Sequence, residues 1–265
     1  MENIVYEYYH DKDTELHVAA GHSSLAKPHF HRCTEILYVT DGKVDSSVGD
    51  AHFCAEADEI VFVHNYYRHA FAPAEPYEKL VLIIPFNYAD DFDAAFRHST
   101  LPAHLTDKDF NREVLRPVFE KLYDDRKSMP PLVKKGYVNV LLGNMLSRYS
   151  MVPIERNGNI ELLVGVLNYI EEHCDKPLTL DSLAATFGYN KYYFSRLFNR
   201  YIGENLNNYV NIVRLQRFMR LTKKDENASI SELAFSCGFD SLTTFYRYFN
   251  KIYGGTPKAV LSAAK

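Results

Sequence analysis

Two histidines and a glutamate lie close together early in the chain, with the spacing His29-x-His31-x3-Glu35. Residues separated by an even number along a β-strand point to the same face, so these three side chains would project together. Imidazole and carboxylate groups suit divalent iron, manganese, zinc or nickel, and they also hydrogen-bond polar organic ligands. The pattern predicts a metal site, a polar ligand pocket, or histidines that only satisfy one another at the mouth of a barrel.

A second group of polar residues lies on two predicted helices near the C terminus. With the apolar positions assigned to the core, the outward positions are Lys191, Tyr192, Ser195, Arg196, Asn199 and Arg200 in the first helix, and Ser241, Thr243, Tyr246 and Arg247 in the second. Basic, aromatic and hydroxyl side chains on one helix face suit the DNA major groove, and Arg196 is the best candidate for a guanine contact. Ser241 lies near a helix start, where backbone amides can bind phosphate.

Both helices belong to an internal repeat with an offset of 50 residues. The pairs Leu183-Ala184 and Gly188-Tyr189 correspond to Leu233-Ala234 and Gly238-Phe239, and with one extra residue Phe194, Arg196, Phe198 and Gly203 correspond to Phe245, Arg247, Phe249 and Gly254. Each copy predicts a helix, a glycine turn and a second helix, capped by Asn190 or by Asp240. The repeat therefore predicts two helix-turn-helix units, at about residues 178–203 and 229–254.

From about residue 160 to 260 the chain closely resembles the AraC/XylS family of transcriptional regulators. The resemblance rests on Leu183-Ala184, Phe198, Gly203, Arg214-Leu215, Gly238-Phe239, Phe245, Arg247, Phe249 and Gly254-Gly255-Thr256-Pro257. It implies that the two helix-turn-helix units read adjacent major grooves, with base contacts by Tyr192, Ser195, Arg196, Thr243, Tyr246 and Arg247. The chain departs from the family pattern at Phe218, Thr222 and Ala259-Val260-Leu261, so packing around the linking helix is expected to differ.

The N-terminal motif, with Gly42 and the later His69, resembles the two motifs of the cupin barrel. In metal-binding cupins such positions form a metal tetrad, which here would be His29, His31, Glu35 and His69. The chain departs from the cupin pattern at Ser23 and Ala57, where glycines are expected, and the second motif lacks its proline and its later asparagine.

Sensor barrels of the AraC/XylS family resemble cupins and often keep these histidines without a metal. The resemblance therefore implies that His29, His31, Glu35 and His69, together with Tyr38, bind a small effector, for which a carbohydrate-like molecule is preferred. No cofactor is required, although a divalent ion remains an alternative occupant.

The elements that position these residues form two domains. Short β-rich runs separated by turns predict a cupin-like sensor barrel over residues 1–90. Helical spacing between Asp107 and Tyr149, broken at Pro130-Pro131, predicts a helical hairpin within residues 91–150, either packed on the barrel or serving as a dimer face. Pro117 is expected to kink the first helix or to mark a late start.

Residues 151–158 are predicted as a linker, and residues 159–265 as the DNA-binding domain, in which Asn205 to Leu221 forms a long joining helix. The predicted fold class is multidomain: an N-terminal all-β cupin-like barrel with a helical hairpin, followed by an all-α domain with two helix-turn-helix subdomains.

Charge is divided unevenly along the 265 residues: residues 159–265 carry a net charge of +3 and residues 1–158 a net charge of −7. This split favours contact between the C-terminal part and a polyanion. The chain has no apolar run long enough for a transmembrane helix and no secretory signal, which predicts a cytoplasmic protein. Its four cysteines lack Cys-x-x-Cys spacing and are expected to be buried apolar residues.

The predicted function is a sequence-specific regulator that acts as a homodimer on promoter DNA, responds to a small effector and contacts RNA polymerase. The alternative is a cupin metalloenzyme, an oxygenase or isomerase, with a helical appendage. The sequence contains no serine-hydrolase elbow, phosphate-binding loop or zinc-protease helix motif, and an enzyme would leave the duplicated helix-turn-helix unexplained. The chain is therefore not expected to be an enzyme.

Overall fold

The computed structural model describes residues 5–7, 16–85, 88, 95–96, 98–154, 158–203, 205–224 and 228–263. The chain divides into two compact units, Met1–Arg156 and Asn157–Lys265. The first is built on β-sheets with a helical hairpin and the second is helical, so the predicted fold class is confirmed.

Two five-stranded sheets form the core of the first unit. Their strands are β1 (Val5–Tyr6), β2 (His17–His22), β3 (Ala26–Phe30), β4 (Thr34–Asp41), β5 (Lys43–Val48), β6 (Ala51–Glu56), β7 (Ile60–Val63), β8 (His69–Pro73), β9 (Glu78–Ile84) and β11 (His104–Leu105); β10 (Ser99–Thr100) lies in a separate two-stranded sheet. Their order is β1-β3-β8-β5-β6 in one sheet and β11-β7-β4-β9-β2 in the other. Strand β1 runs parallel to β3, and the other pairs in these sheets are antiparallel.

Strand β4 is buried on both faces, and its side chains alternate between two cores. Leu37 and Val39 pack with residues of β5, β6 and β8, whereas Ile36 and Tyr38 belong to a core shared with the helical hairpin. Alternate side chains of β4 therefore point to different sides: one set into the space between the two sheets, the other toward the hairpin helices.

The hairpin contains α1 (Lys108–Phe110), a π-helical turn (Asn111–Leu115), α2 (Arg116–Asp124) and α3 (Pro131–Arg148). Pro117 lies in the first turn of α2, where a missing amide hydrogen is tolerated, and the preceding turn closes with Arg116 N–H donating to Asn111 O. Pro117 thus marks a late start for α2. Leu115, Phe119 and Leu142 are among the hairpin residues that pack against the sheet.

Two predicted boundaries differ from the structure. Strand β11 pairs with β7, so the main sheet extends beyond the predicted end at residue 90. Strand β12 (Val152–Pro153) pairs with β10, so part of the predicted linker belongs to the first unit. Both pairs join residues distant in sequence, and such two-residue strands leave no periodic pattern to detect.

The second unit contains α4 (Gly158–His173), α5 (Leu180–Thr186), α6 (Lys191–Ile202), α7 (Leu206–Lys224), α8 (Ile230–Ser236), α9 (Leu242–Tyr253) and α10 (Pro257–Ala263). The Asn190 side chain caps α6 by accepting from Tyr192 N–H, as predicted. The predicted cap of α9 is wrong: Ser241 rather than Asp240 accepts from Thr244 N–H. Serine caps a helix as well as aspartate does, so sequence alone could not choose between the neighbours.

Helix α7 joins the two helix-turn-helix units and is buried along much of its length. Phe218, a departure from the family pattern, packs against Phe245 and Phe249 with ring centroids 4.8 Å and 5.9 Å away. Buried Arg214 donates to Cys174 O at 2.7 Å and to Lys176 O at 3.1 Å, which fixes α7 to the end of α4. No helix in the described ranges is long and apolar enough to cross a membrane.

The cysteines follow the sequence prediction with one exception. Cys33, Cys174 and Cys237 are buried, whereas Cys54 is exposed on β6. Burial raises the pKa of the Cys237 thiol to about 11, which keeps it protonated.

Candidate functional site

The first candidate site lies at β3, β4 and the start of β8, where three histidines are held by the backbone. His29 Nδ1 lies 2.7 Å from Lys27 O, His31 Nδ1 lies 3.0 Å from Cys33 O, and His69 Nδ1 lies 2.9 Å from Tyr67 O. In this arrangement each Nδ1 donates a proton to its carbonyl, so Nε2 is the ring atom left to bind a metal ion or, when it carries a proton, to donate to Glu35. This backbone contact orients histidines that bind metals.

Glu35 faces the three rings from β4. Its Oε2 atom lies 3.1 Å from His31 Nε2 and 3.4 Å from His69 Nε2. His69 is fully buried, and its Nε2 atom has no hydrogen-bond partner within the described part of the chain. Strand pairing brings His69 to this place, because β3 and β8 are in register at His29 and His69.

The site favours ionised Glu35 and neutral His29. Although burial of the Glu35 carboxyl opposes ionisation, the facing imidazoles of His31 and His69 hold its pKa well below its usual range. Burial, with the nearby His69, lowers the pKa of His29. A metal ion would bind this ionised Glu35 and neutral His29, and it would replace a proton on Nε2 of His31 and His69.

The donor set fits one divalent metal ion. The four donor atoms lie within 4.8 Å of one another. Metal bonds to histidine nitrogen and carboxylate oxygen are about 2.0–2.2 Å long, so donors that share an ion lie about 3 to 4.4 Å apart. The measured separations require movements of only a few tenths of an ångström, and His69 Nε2, which makes no hydrogen bond within the described part of the chain, would gain a bond to the ion.

Tyr38 does not lie with this cluster, so its assignment to the effector site is wrong. It lies three residues from Glu35, on the opposite face of β4, where its hydroxyl donates to Asp58 Oδ1 at 2.6 Å. Its ring packs on Phe119 of α2 with centroids 5.5 Å apart. The sequence alone predicts this placement, because residues separated by an odd number along a strand face opposite sides.

The sequence interpretation missed Glu7. Glu7 N–H donates to Phe30 O at 2.9 Å, and Glu7 Oε2 lies 3.8 Å from His29 Nε2. The parallel pairing of Val5 with His29 places Glu7 beside the cluster. A two-residue strand paired with a distant segment has no signature in the sequence.

The second candidate site is the outward face of α6. Lys191, Tyr192, Arg196, Asn199 and Arg200 are exposed, Ser195 is half-buried, and Tyr192 is 77% exposed. Phe194, Leu197 and Phe198 are buried on the opposite face. Arg196 has no hydrogen bond or ion pair with any described residue, whereas Lys191 Nζ lies 2.8 Å from Asp181 Oδ2.

Helix α9 presents an equivalent face in the second helix-turn-helix. Thr243, Tyr246 and Arg247 are exposed, and the half-buried Ser241 caps the helix. Phe245 and Phe249 are buried, and Tyr248 OH donates to Asn208 Oδ1 of α7 at 2.6 Å. The predicted outward residues are therefore brought together on two short helices, each fixed to α7.

A sheet domain with a buried polar cluster, followed by two helix-turn-helix units with exposed basic faces, defines a ligand-sensing DNA-binding regulator. Residues 12–106 match the family of AraC-like ligand binding domains, and residues 183–263 match a helix-turn-helix domain family. The chain belongs to the AraC family of transcriptional regulators, with an N-terminal ligand-binding domain and a C-terminal DNA-binding domain.

Relatives match one or both parts of the chain. The transposon Tn10 TetD protein of Escherichia coli is 38% identical over 106 residues, which cover 39% of this chain and 74% of that protein. The uncharacterized HTH-type transcriptional regulator YobQ of Bacillus subtilis is 23% identical over 237 residues, which cover 89% of each. The solved structure of ToxT from Vibrio cholerae covers 93% of this chain and 98% of its own, with 11% identity and a TM-score of 0.43.

Proposed function

We propose that this AraC-family protein is a metal-responsive regulator that reads a two-part promoter site. The buried convergence of three histidine Nε2 atoms and Glu35, with each Nδ1 bonded to a backbone carbonyl, carries the metal proposal. When bound, a divalent ion supplies positive charge that holds these donors in one arrangement. The four donors lie too close together for a sugar ring to enter between them.

Two recognition helices supply the DNA contacts in this proposal. Tyr192, Ser195 and Arg196 of α6 read one half of the site, and Thr243, Tyr246 and Arg247 of α9 read the other half. The exposure of these residues supports this assignment. The apolar side of each helix is buried, so only the polar side is available to a major groove. Lys191, Asn199, Arg200 and the amides near Ser241 contact the DNA backbone.

Strand β4 couples the metal site to the hairpin. It carries Glu35 toward the metal donors and Tyr38 toward α2, and Tyr38 is bonded to Asp58. Arg112 Nη1 and Arg116 Nη1 lie 3.4 Å and 3.6 Å from the same Asp58 carboxylate. A shift of β4 on metal binding would therefore change the contacts of Tyr38 and Asp58 with the hairpin helices. A ligand can drive a conformational change only if such contacts differ between the two states.

The protein acts as a homodimer through the outward face of α3. Leu132, Gly136, Val140, Gly143 and Ser147 are all exposed, and helical spacing places them along one stripe. This stripe lies opposite the residues of α3 that pack on the sheet. The dimer works in the cytoplasm, where its promoter lies, and contacts RNA polymerase.

The proposal is tested by selecting bound duplexes from a random library with the full-length protein, with and without added Zn²⁺, Mn²⁺, Fe²⁺ or Ni²⁺. We expect two enriched blocks about one helical turn apart, with enrichment that changes with metal. Metal content after dialysis, measured by mass spectrometry, should approach one ion per chain.

His31→Ala separates the two parts of the proposal. It should remove the metal response and leave affinity for the selected duplex in the absence of metal unchanged, because His31 lies outside the DNA-binding unit. Coincident metal titrations for the variant and the parent would reject the metal site. No enriched motif at either of two salt concentrations would reject sequence-specific binding.

A further inference from the structure

Glu7 lies at the end of β1, beside the metal donors, and its backbone position is fixed. Its N–H donates to Phe30 O at 2.9 Å, next to His29 on β3. Its Oε2 atom lies 3.8 Å from His29 Nε2, which is beyond hydrogen-bond distance. The Glu7 side chain is 42% exposed and that of His29 only 9%, so Glu7 occupies the solvent side of the cluster.

The charge of a bound metal ion gives a reason for a second carboxylate at the site, and Glu7 can supply it. Three neutral histidines and ionised Glu35 would leave a divalent ion with a net charge of about +1 in a buried site, and an uncompensated buried charge is costly. A second carboxylate makes the centre neutral. Among the described residues, Glu7 is the remaining carboxylate in contact with the cluster histidines.

We propose that Glu7 is a fifth donor to the bound metal ion and that metal binding thereby fixes β1 against β3. This inference rests on the proposed metal site and extends it to a part of the chain that the cupin-like motifs do not include. A small rotation of the Glu7 side chain moves its carboxylate toward the ion while its N–H keeps the bond to Phe30.

The test compares Glu7→Gln with the parent in full-length protein, using Co²⁺ and Zn²⁺ as probes. Competition with a chromophoric chelator gives the affinity. We expect Glu7→Gln to weaken Zn²⁺ binding at least roughly tenfold, since even residues that only support metal ligands contribute 10–100-fold. The visible bands of bound Co²⁺ should intensify in the variant, because cobalt absorbs more strongly when its coordination number falls.

Glu78→Gln is the matched control. Glu78 Oε1 lies 3.5 Å from His22 Nδ1 in an exposed pair at the β2–β9 edge, so this variant also removes a carboxylate beside a histidine. It should bind Zn²⁺ like the parent. Hydrogen exchange adds a readout of β1: metal should slow exchange of the Glu7 amide in the parent and not in Glu7→Gln.

The outcomes separate the two proposals. If the parent binds Zn²⁺ and Glu7→Gln gives the same isotherm and the same Co²⁺ spectrum, Glu7 is not a donor and only this inference fails. If the parent binds neither ion, the metal-responsive function and the role of Glu7 fail together. Weakened binding with an unchanged Co²⁺ spectrum would also overturn direct ligation, since Glu7 would then act only through its charge.

Discussion

In the proposed DNA interface, single side chains on α6 and α9 decide which DNA sequence is read. Arg196 and Arg247 occupy equivalent positions in the repeat, and both are exposed. An arginine that forms two hydrogen bonds to guanine contributes about 1–3 kcal/mol of discrimination at one base pair. The residues are separate enough in the chain for each to be tested alone.

We expect Arg196→Ala to weaken binding of the selected duplex by about 1–3 kcal/mol and to relax base preference at one position. Arg247→Ala should do the same in the other block, which makes each variant a control for the other. Affinities for duplexes substituted at every position provide the measurement. A loss of equal size on all duplexes would assign Arg196 to a phosphate.

At the scale of elements, the two helix-turn-helix units differ in how closely their turns are packed. Gly188 and Gly238 occupy corresponding turns, and both have positive φ, 72° and 96°. A Cβ added at Gly188 would meet no atom within 4 Å, whereas one at Gly238 would lie 2.3 Å from Cys174 O. The second turn thus packs directly on the end of α4, at the carbonyl that also accepts from Arg214.

Gly188→Ala should lower the free energy of unfolding of the second unit by about 1–2 kcal/mol, the cost of a left-handed alanine. Gly238→Ala should cost about 3 kcal/mol or more, because overpacking against backbone is added to that strain. Urea unfolding of the two variants in parallel measures the difference. Equal losses would show that α4 moves away easily, and that the second turn does not depend on it.

The β4 contact makes a separate prediction for the first unit. Tyr38→Phe removes the hydroxyl that donates to the Asp58 carboxylate, and hydrogen bonds to charged groups contribute about 1.5–3 kcal/mol. We expect a stability loss of about that size, together with a smaller change in DNA affinity on metal addition. Tyr192→Phe, on an exposed side chain, should leave stability unchanged. An undiminished metal response in Tyr38→Phe would reject coupling through β4.

For the whole molecule, the sequence predicted what local patterns determine. Helical periodicity and the internal repeat identified the second unit. The sequence also grouped His29, His31 and Glu35 correctly, but the reason given was wrong: His29 lies on β3 and Glu35 on β4, in different sheets, so they meet between strands and not along one strand. Glu7 and the pairing of Val152 with Thr100 depend on contacts between segments distant in the chain, and short strands give no periodic signal for them. The error at Tyr38 arose from treating nearness in sequence as nearness in space.

The proposed dimer of two whole chains depends on the exposed stripe of α3. Leu132 is 83% exposed and Val140 is 52% exposed. Gly136 and Gly143 lie on the same stripe with nothing within 4 Å of an added Cβ, and each mid-helix glycine costs about 0.5–1 kcal/mol relative to alanine. An exposed helix gains nothing within its own chain from that cost, whereas a second helix could approach closely at these positions.

Leu132→Lys with Val140→Lys should therefore convert a dimer to a monomer at micromolar concentration, because two charges would be buried without partners in the contact. Sedimentation velocity measures the change, and Leu25→Lys, at a residue 68% exposed outside the hairpin, should remain dimeric. If the double variant stays dimeric, the interface lies elsewhere. A parent that is monomeric at all concentrations would mean that two recognition helices on one chain suffice for promoter binding, and the glycines of α3 would then need another explanation.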